Sequence, residues 1–224
     1  MLFALGQPAA FAGLLIAFLL ALLLRAYAIR ITARTLGLTG PGETVTPRLR
    51  EDIDAFGAVA AAVGGAGWGK VIDVDEVPRF HGRGRAAAVF AVGPAVTLVA
   101  AQLFFLGYRL AFPDSFQLSV YRVSDVLTGQ FDGTLTEQLL LSTAVGLLGF
   151  GLLALIPIPP LDGFGILWSA ARRPGGGLQW MRLWLEQKNL GVVILLVCCF
   201  FPLGNPLLLI PLNLIGTVFM RLWG

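Results

Sequence analysis

Few residues in this sequence have the chemistry for a site. Asp162 is the most exposed to question: it closes the run Pro157, Ile158, Pro159, Pro160, Leu161, Asp162, Gly163 at the end of a long apolar stretch. A carboxylate at membrane depth is costly and marks a site by default. Asp before Gly after paired prolines is also a common turn and helix cap, so both readings stand for the motif alone. His81 is the sole histidine and sits in the basic loop 79–85. It reads either as a substitute metal ligand or as an exposed loop residue. One His with one Asp falls short of the three or four protein ligands that zinc sites use. Cys198 and Cys199 are adjacent inside an apolar run. A disulfide between neighbours is strained, so they read as small packing residues.

The elements that position these residues follow from composition. Hydrophobic residues make up 57% of the 224 and charged residues 13%, about half the charged share of a soluble domain. The apolar excess falls in long uncharged runs, for which a bilayer is the natural solvent. The net charge of +3 comes from short basic clusters between those runs. Membrane-flanking charge explains this, and nucleic-acid binding is set aside.

The expected fold class is an all-α polytopic membrane protein with about five to six membrane segments. A retained first span covers 9–24, because no positive n-region or cleavage site marks it as a signal peptide. The stretch 55–68 is apolar, rich in Gly and Ala, and short of the roughly 20 residues a span needs, which suggests a re-entrant or tightly buried piece. Spans are expected at 86–108, interrupted by Gly93-Pro94, and at 139–157, where the prolines stop the helix. Segment 178–188 reads as an interfacial helix with Trp180 and Trp184. The uncharged 189–220 reads as two short helices broken around Pro202, Gly204, Asn205 and Pro206. The chain thus divides into a first span (1–24), a core (25–172), and an interfacial helix with a membrane hairpin (173–224). Fourteen of sixteen Lys and Arg fall on one side if 55–68 re-enters. That side is expected to be cytoplasmic, with the N-terminus outside and the C-terminus inside, in the cell (inner or plasma) membrane.

Several segments together resemble the site-2 protease family of intramembrane zinc metalloproteases. Pro157 to Gly163 resembles the element whose Leu-Asp-Gly supplies a zinc-ligating aspartate. Gly67-Trp68-Gly69-Lys70 with Val71 and Asp73 resembles the family's Gly-Trp-Ala-Lys-Pro-Val region. Gly84-Arg85 and Ala91-Val92-Gly93-Pro94 resemble the basic loop and the Ala-Gly-Pro start of the next span. Ala33-Arg34-Thr35-Leu36-Gly37 resembles the end of the helix that carries H-E-x-x-H. Leu49 to Gly57, with Ile53-Asp54, resembles a loop of bacterial members. The order and spacing match over about 20–172, as expected of a divergent bacterial member.

The departures fall on the chemistry. Counting back from Gly37 places H-E-x-x-H at Arg25, Ala26, Tyr27, Ala28 and Ile29. Two histidines at i and i+4 would put both imidazoles on one helix face, with the glutamate activating water. Here no histidine precedes His81 and no glutamate precedes Glu43. Asp52 stands at the loop histidine and Thr97 at the family asparagine. The resemblance therefore implies vestigial active-site positions at Arg25, Ala26, Ile29, Asp52, Thr97 and Asp162, of which Asp162 alone keeps its ligand type. No catalytic, metal or cofactor residue is assigned. Arg25 falls opposite Asp162 in the family arrangement, so an Arg25–Asp162 ion pair is expected. In the alternative, Arg25 snorkels to headgroups while Asp162 caps a helix.

The expected function is a pseudoprotease: a binding, structural or regulatory subunit for a membrane-protein partner in the lipid bilayer. An active metalloprotease using Asp52, His81 and Asp162 is one alternative, and a transporter or channel component is another.

Overall fold

The computed structural model describes residues 1–38, 45–77, 82–200 and 206–224, without the side chain of Leu49. His81, Pro202, Gly204 and Asn205 lie outside the described residues. Among the described residues, three helices are long and apolar enough to cross a membrane: α1 (Pro8–Thr35), α4 (Arg83–Ala111) and α7 (Leu135–Ala154). Between α1 and α4 lie α2 (Leu49–Asp52) and α3 (Ala55–Gly64). The α4–α7 connection carries α5 (Gln117–Val120) and α6 (Val123–Thr128). After α7 come α8 (Asp162–Ala170), α9 (Gly176–Met181), α10 (Leu190–Phe200) and α11 (Leu209–Arg221). Among the described residues there is no β-strand, only an isolated bridge between Ile53 and Gly69.

Small residues set how closely the three long helices approach. A Cβ at Gly13 would lie 2.5 Å from the Leu139 carbonyl oxygen, and one at Gly146 would lie 2.6 Å from the Ala17 methyl. Phe18 meets Phe150 edge-on at 6.2 Å between ring centres. Position rises along both helices together, so α1 and α7 run parallel, with small-residue packing of the kind lipid favours. Helix α4 runs against both: Gly93 lies on Arg25, and Thr97 and Leu98 lie on Gly151. Thr134 and Glu137 close a capping box at the start of α7, with Thr134 N–H donating to Oε2 at 2.9 Å.

Pro94 does not interrupt α4, which continues through it. The proline costs one backbone hydrogen bond, and neighbouring helices hold the α4 axis on both sides. The 55–68 segment returns to where it leaves. Asp54 caps α3 by accepting from Gly57 N–H at 2.7 Å, and Gly65 turns the chain at φ 82°. The returning arm lies on the outgoing one so closely that a Cβ at Gly57 would sit 2.0 Å from the Trp68 carbonyl oxygen. At its base Ile53 bridges Gly69, and Lys70 N–H donates to Asp52 O at 2.8 Å.

The polypeptide from Gly176 to Gln187, with its second half in a π-helical turn, meets α10 at 75°. That pair counts as a fourth span only if taken as one broken span, and α3 and α11 are shorter apolar helices. The two short helices expected over 189–220 are α10 and α11.

Charge divides between the two ends of the bundle. Ile29, Ala33, Ala86, Phe90, Phe164 and Trp168 share one buried cluster. It brings together the end of α1, the start of α4 and the end of α8, and so gathers Arg30, Arg34, Arg83, Arg85, Arg172 and Arg173. At the other end the α4–α7 connection carries Asp114, Asp125 and Asp132 with Arg109 and Arg122. Trp223 Nε1 donates to Gln102 at 2.8 Å and Gly224 abuts Ser119. The C-terminal residues therefore lie toward the acidic end, where α1 starts, and not with the basic end as expected. Close packing of α11 on α6, through Asn213 and Ser124, carries the chain there.

Candidate functional site

The site is built where α1 passes the start of α8. Arg25 is 7% exposed and Asp162 is 4% exposed. Arg25 Nε donates to Asp162 Oδ2 at 2.7 Å, and Nη2 donates to Oδ1 at 2.5 Å. The pair is a fork-to-fork contact that engages both carboxylate oxygens. Asp162 is the first residue of α8 and does not act as its cap, which is Leu161. The carboxylate thus meets both the first turn of α8 and the guanidinium. A third donor, Arg25 Nη1, reaches the Lys70 carbonyl oxygen at 2.9 Å and ties the pair to the returning arm of the α3 hairpin.

Three glycines make this geometry possible. A Cβ at Gly93 would lie 2.8 Å from Arg25 Cγ, so Gly93 leaves the channel through which the arginine runs. A Cβ at Gly163 would lie 2.2 Å from the Leu155 carbonyl oxygen, so only glycine lets α8 fold back under the end of α7. Gly165 plays the same part against the Phe90 ring, at 2.3 Å. The Leu-Asp-Gly sequence is thus a close-packed bend with its carboxylate turned to α1.

Asp52, at 6% exposure, makes a second pair one and a half turns farther along α1. Arg30 Nη1 donates to its Oδ2 at 3.0 Å and Nη2 to its Oδ1 at 2.5 Å, while Arg48 N–H adds a bond to Oδ2 at 2.8 Å. Both buried aspartates are therefore saturated by arginine forks. Arg30 is the residue that sequence reasoning missed. It reads as a membrane-edge charge, and only the fold of residues 45–52 brings Asp52 to it.

The remaining positions divide. Ala26 and Ile29 are buried and line a cavity beside Arg25. Thr97 is fully buried, and its hydroxyl donates within its own helix to Pro94 O at 2.8 Å, so it does not join the ion pairs. Among the described residues, no three His, Cys, Asp or Glu side chains come together as a metal could require. The cavity has a volume of about 530 Å³ and lies between α1, α4 and the 45–77 segment. Arg25, Arg30, Asp52, Lys70 and Glu76 supply its polar surface, and Ile29, Val77 and Val89 are among its apolar walls.

No protein-family model matches this sequence, and neither a curated protein nor a solved structure matches it.

Proposed function

We propose that this chain is a non-enzymatic, multi-pass membrane protein on a site-2-protease-like frame, a pseudoprotease that serves as a binding, structural or regulatory subunit for a membrane partner. The observation that supports this reading most is the state of the two buried aspartates. A cation at Asp162 would have to displace a guanidinium that holds both of its oxygens. At Asp52 it would compete with Arg30 and with a backbone N–H. A catalytic zinc site needs three protein donors and an open position for water. The arginine forks fill the donor positions with positive charge, which repels a metal ion and locks α1 to α8. The frame is kept by ion pairs in place of coordination.

In this reading the basic end is cytoplasmic, by the excess of Arg and Lys there. The N-terminus is outside, in a cell or inner membrane, with α3 re-entering from the cytoplasmic side. The α3 hairpin, α10 and α11 add three further membrane segments to the three long helices.

Zinc content and cleavage of a transmembrane reporter by the purified full-length chain test the proposal together. The expected result is no stoichiometric zinc and no cleavage, with one companion protein co-purifying from native membranes in fixed ratio. Stoichiometric zinc that disappears along with reporter cleavage in Asp162→Asn would replace the proposal with an active metalloprotease.

A further inference from the structure

The cavity beside Arg25 has hydrogen-bond donors left over. A guanidinium carries five N–H donors. Arg25 directs three of them to Asp162 and Lys70 O, which leaves one N–H on each Nη of a residue that lines the cavity. Lys70 and Glu76 are exposed at the cavity and form no ion pair with any described residue. The polar surface therefore offers one cation and one anion without an ion-pair partner among the described residues, next to a buried arginine with spare donors. Against it stands an apolar wall of Ala26, Ile29 and Ala33 from α1 with Val89 from α4.

Depth narrows the occupant. Arg25 follows Pro8 by 17 residues on one continuous helix, a rise of roughly 26 Å. The hydrocarbon core is about 30 Å thick. With α1 read as a span that starts at Pro8, Arg25 lies close to the far edge of that core, and α1 continues past it by ten residues to Thr35. A volume of about 530 Å³ lies within the roughly 300–1,000 Å³ of ligand pockets.

We propose that this cavity is a phospholipid headgroup site selective for a zwitterionic, ammonium-bearing phosphodiester. The phosphate oxygens accept from Lys70 and from the spare Arg25 donors, the ammonium meets Glu76, and an acyl chain leaves along Ala26, Ile29 and Ala33. A head of net negative charge would meet Lys70 and Arg25 but leave Glu76 to water alone. An ammonium head adds a partner for Glu76 while its phosphate meets Lys70. The site goes beyond the pseudoprotease reading and stands whether or not the chain cleaves peptides.

Native mass spectrometry of the full-length chain in detergent tests this, with palmitoyl-oleoyl phosphatidylethanolamine or phosphatidylglycerol added singly. Free phosphoethanolamine and inorganic phosphate form parallel arms. One phosphatidylethanolamine per chain is expected, held about tenfold more tightly than phosphatidylglycerol. Lys70→Gln weakens both lipids, and Glu76→Gln abolishes the preference while keeping binding. Both side chains are exposed, so an unfolding midpoint equal to that of the unsubstituted chain verifies each variant. Equal retention of the two lipids, retention indifferent to both substitutions, or saturation by free phosphate or phosphoethanolamine in place of lipid would overturn the assignment.

Discussion

The Arg25–Asp162 pair makes a quantitative prediction. Its side chains are 9% and 3% exposed, and two hydrogen bonds of 2.7 and 2.5 Å join them. Removing either partner strands the other charge in a place water hardly reaches, at a cost of about 3–5 kcal/mol. Replacing both by apolar groups of similar volume removes the pair together with its desolvation cost, and is about neutral or stabilising by 1–4 kcal/mol. Arg25→Met and Asp162→Leu should therefore each lower the unfolding free energy by about 3–5 kcal/mol, while the double variant returns to within about 1 kcal/mol of the unsubstituted chain or exceeds it. The assay is equilibrium unfolding in mixed micelles by titration with a denaturing detergent, run as a four-member cycle. The Arg30–Asp52 pair supplies an internal comparison. Arg30 is 26% exposed, so water screens what remains, and Arg30→Met should cost about 1–3 kcal/mol. If the double variant loses the sum of the two single losses, the two side chains act independently and the fork is not what joins α1 to α8.

Two further predictions concern the elements around the site. Gly57→Ala puts a methyl 2.0 Å from the Trp68 carbonyl oxygen and should pry the α3 hairpin open, costing about 3 kcal/mol or more in the same unfolding assay. Glu186 lies on the helical segment that precedes α10. Burial first, and Asp73 and Asp75 nearby, push its carboxyl up to about 7, against the opposing pull of Val74 N–H and Arg182. A raised acid favours the folded state most below its ordinary value near 4.5, and that contribution is lost as pH rises through about 7. The unfolding free energy in the same assay should accordingly be lower at pH 8 than at pH 5, and Glu186→Gln should reduce that difference.

The membrane character and the run of elements were legible without any coordinates. Uncharged stretches too long for water to solvate announce α1, α4 and α7. The prolines after α7 end it because each lacks an N–H, and a short Gly- and Ala-rich stretch cannot reach across. Pro94 shows the limit of local rules: its cost is real, but helices packed on both sides outweigh it. The Arg25–Asp162 contact was foreseeable only through a family resemblance, since 137 residues separate the partners. The Arg30–Asp52 contact left no trace. Arg25 and Arg30 are five residues apart, a rotation of about 140° on a helix, so nothing in their spacing marks them as facing one pocket.

Residue types thus determined which segments leave water and which charges stay at the rim, because transfer free energy depends on composition. The tertiary structure decided where the buried charges find partners and where the C-terminal helix goes. Those outcomes depend on glycine-sized clearances at residues 57, 93 and 163, set by elements distant in the chain.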